Sequence, residues 1–168
     1  IERASSLICK DGDGVDFDIE LKTDDTPVFY SNKQKVHGIL YNLLSNALKF
    51  RSYDRKLKIT ISSGEDNFNY FLTVRDNGIG IDLDQFGDKI FNLYQQFQAE
   101  YHGKGIGLYL VKMQAESLGG KVEVQSKAGV FTEFTVYIRK PVDIREQILL
   151  DTSMIRIHFD AEINTLVA

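Results

Sequence analysis

The chain has 168 residues, 43% of them hydrophobic, which is enough for one ordinary domain with a real core and a short appendage. Twenty Lys and Arg against 24 Asp and Glu leave a formal charge of −4, and the basic residues are scattered, which argues against a nucleic-acid partner. The single cysteine, Cys9, excludes an intramolecular disulfide, and no close His cluster suggests structural zinc. No apolar run approaches the roughly 20 residues that span a bilayer, and the N-terminus lacks the order of a signal peptide. The expected location is therefore a reducing cytoplasm, with no direct membrane insertion from this segment and any membrane link outside this chain.

In chain order, Val15, Phe17, Ile19 and Leu21 alternate with acidic residues, the period-2 pattern of a strand with one buried face. Thr23 to Pro27 reads as a loop. From Ser31 or Asn32, both good N-caps, apolar residues recur at Val36, Ile39, Leu40, Leu43, Leu44, Ala47 and Leu48, which predicts an amphipathic helix. Leu57, Ile59 and Ile61 alternate, a polar turn follows at Ser63 to Asn67, and Phe68, Tyr70, Leu72 and Val74 alternate again. This is a hairpin that delivers Asp76 from a strand end.

Ile81 to His102 shows no sustained period, only a short helical stretch near Asp84 to Ile90 and the aromatic residues Phe91, Tyr94 and Phe97; so long a connection usually has a function. A second helix is predicted from Gly105 to Leu118, stopped by Gly119 and Gly120. Val122 and Val124 begin a strand, and Thr132, Phe134, Val136 and Ile138 complete a hairpin before Pro141. The fold class is α+β, a two-layer sandwich in which one mixed, mostly antiparallel sheet is covered on one face by helices. Residues 1–140 form this domain. Residues 141–168 read as an extension or the start of a further domain, with a weakly helical Val142 to Leu150 and a hairpin of Met154 to Phe159 with Ile163 to Ala168.

Three blocks carry the chemistry. Asn42, Asn46 and Lys49 lie at i, i+4 and i+7 and share one helix face beside the leucine stripe. Asp76-Asn77-Gly78-Ile79-Gly80 follows a strand; taken alone it is an ordinary turn, but its carboxylate accepts hydrogen bonds without donating and so favours adenine's amine over guanine's carbonyl. Gly103-Lys104-Gly105-Ile106-Gly107-Leu108 precedes a helix, where free N–H groups and the dipole attract phosphate. It is neither a Walker loop, which needs Gly-Lys-Ser or Gly-Lys-Thr, nor a dinucleotide fingerprint, which needs a strand just before it.

Jointly these blocks resemble the GHKL ATP-binding (Bergerat) fold, and specifically the catalytic domain of sensor histidine kinases. The matching residues are VHGILYNLLSNALKF, DNGIG, FGDKIFNLYQQF and GKGIGLYLVK, within about Val15 to Arg139. The resemblance implies that Asn42 and Asn46 line the catalytic face, that Asn46 supplies an oxygen to Mg²⁺ and that Lys49 meets phosphate. It implies that Asp76 reads adenine beside Gly78, Gly80, Ile81 and Thr132, and that Gly103, Lys104, Gly105, Ile106, Gly107 and Leu108 wrap the phosphates of ATP. Ile81 to His102 becomes a flexible ATP lid. The implied partners are a dimerisation and histidine-phosphotransfer domain and a response regulator receiver domain.

Relatives that hydrolyse ATP usually carry Glu at the position of Asn42, as a base that activates water. An amide has no such basicity, so a self-sufficient ATPase is disfavoured against a kinase that hands phosphate to a better nucleophile. The three histidines, His37, His102 and His158, stand outside any His-Glu or His-Asp phosphoacceptor context. Two positions depart from the family pattern: Phe131 replaces a glycine in Gly129-Val130-Phe131-Thr132-Glu133-Phe134, and Gln96 stands where many relatives place arginine. They motivate an alternative, a nucleotide-binding or interaction module with weakened catalysis.

Overall fold

The computed structural model describes residues 15–22, 29–93, 105–141 and 154–157. The strands are β1 (Phe17–Lys22), β2 (Phe29–Asn32), β3 (Leu57–Glu65), β4 (Asn69–Asp76), β5 (Lys121–Lys127), β6 (Phe131–Arg139) and β7 (Met154–Ile157). The helices are α1 (Lys33–Lys49), the short α2 (Leu83–Phe86), which a 3-10 turn at Gly87–Lys89 continues, and α3 (Gly107–Ser117). Five strands form one sheet in the order β1-β3-β4-β6-β5, in which β1 and β3 run parallel and every other pair antiparallel. This is the expected mixed, mostly antiparallel sheet.

Helix α1 begins where Asn32 caps it, its side chain accepting a hydrogen bond from the Lys35 N–H at 3.1 Å. All seven predicted apolar positions, Val36 through Leu48, are buried. They pack with Val111 and Ala115 of α3, Ile90, and the inward residues of the strands, among them Leu57, Ile59, Ile61, Leu72, Val74, Phe134 and Val136. The two long helices thus cover one sheet face, and burying each such side chain is worth about 1.5–3 kcal/mol.

Three local expectations shift. The hairpin turn lies at Asp66–Phe68, not Ser63 to Asn67, because Asp66 Oδ1 accepts from both the Phe68 and Asn69 N–H groups at 2.7 Å. Phe68 therefore falls outside β4 and is exposed. Short helix α2 starts at Leu83, where Asp82 caps it by accepting from the Asp84 and Gln85 N–H groups. The run at Met154–Ile157 is a strand as expected, but its partner is β2: Phe29 pairs with Ile157 and Asn32 with Met154 in a two-stranded antiparallel sheet. A segment from beyond Pro141 thus meets the entry of α1. Ile163 to Ala168, Val142 to Leu150 and Thr23 to Pro27 lie outside the described residues.

Removing the α1 cap with Asn32→Ala is expected to cost about 1 kcal/mol of stability. Leu44→Ala, at 0% exposure in the core, is expected to cost about 2–5 kcal/mol. Urea unfolding of both variants checks the ranking.

Candidate functional site

The site begins with one row of residues on the inner sheet face. Strand register sets Asp76 opposite Thr132, and Thr132 opposite Ser126, so β4, β6 and β5 each contribute one polar group to an otherwise apolar face. Asp76 and Thr132 are buried. Ser126 Oγ lies 3.3 Å from Thr132 Oγ1, donates to the Phe131 carbonyl and accepts from the Ile81 N–H at 2.8 Å. Asp76 Oδ1 accepts from the Gly78 N–H at 2.8 Å. Burial pushes the Asp76 carboxyl up to about 6, partly offset by the Gly78 hydrogen bond and the charge of Arg75.

The glycines of this turn answer to space and backbone angle. A Cβ at Gly78 would collide with the Phe50 carbonyl and Asp76 Oδ1. Gly80 has φ +68° and lies directly against the Lys127 carbonyl. Cross-bonds fix the turn to its neighbours: the Ile79 N–H donates to the Phe50 carbonyl at 3.0 Å, and the Gly129 N–H donates to the Ile79 carbonyl at 2.6 Å. Asn77 ties the turn to β3, since its Oδ1 accepts from the Lys58 N–H and its Nδ2 donates to the Lys56 carbonyl.

The polar flank of α1 faces the start of α3. Asn42 spends its Nδ2 on the Gly38 carbonyl at 2.7 Å, which turns Oδ1 toward Gly107: a Cβ built there would lie 3.1 Å from Asn42 Oδ1 and 3.9 Å from Asn46 Oδ1. Gly105 takes φ +65°, and Ile106, the α3 N-cap, provides no side-chain cap bond. The first N–H groups of α3 therefore open beside the two amide oxygens. Lys49 lies one turn beyond Asn46; its ammonium is 4.8 Å from the Phe50 ring centre, and partial burial holds its pKa below the usual lysine value. No group of three His, Cys, Asp or Glu suited to a metal occurs among the described residues.

Helix α1 thus touches both glycine blocks, with Asn42 and Asn46 at Gly107 and the Phe50 carbonyl at Ile79. Of the predicted site residues, Gly103 and Lys104 lie outside the described residues, as do Gln96 and the rest of the predicted lid from 94 to 102. Residues 31–142 match the family model described as histidine kinase-, DNA gyrase B- and HSP90-like ATPase. The chain belongs to this ATPase family.

Within it, the chain is similar to the autoinducer 2 sensor kinase/phosphatase LuxQ of Vibrio parahaemolyticus, 36% identical over 162 residues, covering 91% of this chain and 18% of LuxQ. It is also similar to the sensor histidine kinase YcbM of Bacillus subtilis, 32% identical over 128 residues, covering 74% of this chain and 40% of YcbM. Full-length ShkA, solved in complex with AMPPNP, shares the fold with a TM-score of 0.66 at 20% identity, over 83% of this chain and 30% of that one. The chain is the ATP-binding catalytic domain of a sensor histidine kinase, and it spans less than half the length of these curated relatives.

Phe131, one of the two departures from the family pattern, does not enter the pocket. Strand alternation sends it to the face opposite Thr132, where the Arg75 guanidinium stacks 3.7 Å from its ring centre and pairs with Glu133 at 3.1 Å. Two site residues escaped the motif search. Ser126 was detectable as the small polar residue in phase with inward Val122 and Val124. Arg55, which donates to the carbonyls of Asn77, Gly78 and Gly129, carries no sequence signal.

For the adenine contact expected of Asp76, the ionised carboxyl is the better acceptor. With its pKa raised to about 6, the carboxyl is mostly charged at pH 8 and mostly protonated at pH 5. ADP affinity is expected to fall about tenfold over that range, and Asp76→Asn is expected to lose that component of the pH dependence, as read by calorimetry. The sign for stability is opposite: the folded state takes up this proton before the unfolded chain does, so the group favours folding as pH falls from about 6 toward 4. Asp76→Asn should accordingly raise the urea midpoint of the unliganded chain at pH 8.

Proposed function

We propose that this domain binds Mg-ATP and donates the γ-phosphate to a histidine on a dimerisation and phosphotransfer domain outside these 168 residues. A response regulator receiver domain would then accept the phosphate. The observation that carries this reading is the juxtaposition at α1: the amide oxygens of Asn42 and Asn46 beside the uncapped N-terminus of α3, and a buried carboxylate at the other end. Triphosphate fits the first and an exocyclic amine the second. AMPPNP, an ATP analogue, in the structurally similar ShkA supports the same ligand class.

Asn46 would give one oxygen to Mg²⁺, in keeping with a hard cation that prefers oxygen donors and keeps much of its hydration. The ion would neutralise charge building on the transferred phosphoryl group. Asn42 contributes no base, so positioning does most of the work and water is a poor acceptor. Lys49, with its lowered pKa, still offers a cation toward phosphate. Gly103 and Lys104 complete the phosphate loop in this reading. The alternative of a weakened module loses one of its two supports, because Phe131 points away from the pocket.

No helix among the described residues is long and apolar enough to cross a membrane, and we place the domain on the cytoplasmic side of its parent sensor. The family match to residue 142 and the end of β6 at Arg139 favour a catalytic unit that closes near residue 140, with 141–168 an extension that returns β7 to β2.

Mixing the chain with a cognate histidine-bearing domain and γ-labelled ATP tests the transfer. Label is expected on that domain as an acid-labile, base-stable phosphate, and Asp76→Asn should reduce its rate about tenfold or more at subsaturating ATP. Asn46→Ala is expected to abolish the gain in ATP affinity that Mg²⁺ provides. Equal affinity of the parent with and without Mg²⁺ would contradict the metal role.

A further inference from the structure

Arg55 sits in the loop between α1 and β3, remote from every motif, yet its guanidinium joins two loops of the site. Nε donates to the Asn77 carbonyl at 2.7 Å, and Nη2 donates to the Gly78 carbonyl at 2.7 Å and the Gly129 carbonyl at 2.8 Å. The first two belong to the turn that carries Asp76, the third to the β5–β6 turn. A planar fork can meet several fixed acceptors at once, which an ammonium on a flexible stem cannot match.

The consequence follows from peptide geometry. In a planar trans peptide, C=O and N–H point in opposite directions. Holding the Asn77 carbonyl on Arg55 therefore aims the Gly78 N–H the other way, where it meets Asp76 Oδ1 at 2.8 Å. Holding the Gly78 carbonyl likewise aims the Ile79 N–H at the Phe50 carbonyl, 3.0 Å away at the end of α1. With Oδ1 engaged, the second carboxylate oxygen remains for a ligand amine. Gly78 and Gly80 leave this turn conformationally free, so something other than side-chain bulk must choose its peptide orientation.

Resting on the reading of Asp76 as the adenine contact, we propose that Arg55 is a positioning residue for base recognition: it sets the two peptides of the Asp76–Ile81 turn and thereby orients the Asp76 carboxylate toward the exocyclic amine. It touches neither base nor phosphate. Its loss weakens the discrimination between an amine and a carbonyl at that position of the purine and leaves the phosphate end intact.

The test compares ATP, ITP and inorganic tripolyphosphate by calorimetry, with Mg²⁺, on the parent chain, Arg55→Ala and Arg55→Lys. ITP replaces the amine with a carbonyl, and tripolyphosphate has no base. The parent is expected to prefer ATP over ITP by about tenfold or more. Arg55→Ala should shrink that preference by about fivefold with tripolyphosphate affinity unchanged, and Arg55→Lys, which keeps the charge but not the fork, should fall between the two. A general loosening of the fold would weaken all three ligands together, and that result overturns the proposal. So does a parent-like ATP:ITP ratio in folded Arg55→Ala; should that variant not fold, a parent-like ratio in Arg55→Lys overturns it equally. A parent chain with no preference for ATP removes the adenine reading itself, and the role of Arg55 with it.

Discussion

Burial of one face of α1 is the constraint on which the rest of the site depends. Seven apolar residues on a 17-residue helix must meet the sheet, and this fixes the rotation of the helix about its axis. Once the stripe from Val36 to Leu48 is inside, Gly38, Asn42 and Asn46 follow one another at four-residue steps on the flank that α3 covers. The site has no separate scaffold. A change of helix register that moved Asn46 would expose leucine or bury lysine, so the core enforces the placement of the polar residues.

The two ends of the site are built to opposite electrostatic logic. At the α3 end, amide oxygens lie beside a helix start to which the N-cap residue gives no side-chain bond, a polar environment. At the Asp76 end, a carboxylate is buried among Ile59, Thr132 and the core, where desolvation disfavours its charge. The one hydrogen bond found to this carboxylate among the described residues comes from the Gly78 N–H. Keeping Asp76 ionised in this place therefore costs the unliganded fold stability.

Much of this was legible because it was periodic or local. The α1 stripe, the alternations of the five main-sheet strands and the strand-end position of Asp76 all follow from counting residues in steps of 3.6 or 2. What escaped was non-local or addressed to backbone. Strand β2 has only four residues, and its partner β7, legible as a strand, lies more than a hundred positions away, so nothing local announces their pairing. Arg55 binds three carbonyls, which every residue possesses, and no residue type at its targets could have announced it. Ser126 lies between these cases: counting from Val122 and Val124 puts it on the inner face, but its duty to the Ile81 N–H needs the fold.

Phe131 shows how such counting separates a damaging departure from a tolerable one. Asp76 and Arg75 are neighbours of opposite charge, and the strand sends them to opposite faces. On the outer face, Arg75 stacks on Phe131 and pairs with Glu133, so its guanidinium is held by two partners from β6. The ring therefore lies on the face opposite the buried carboxylate. A large residue at this position is compatible with adenine recognition because the β6 register places Thr132, not Phe131, opposite Asp76.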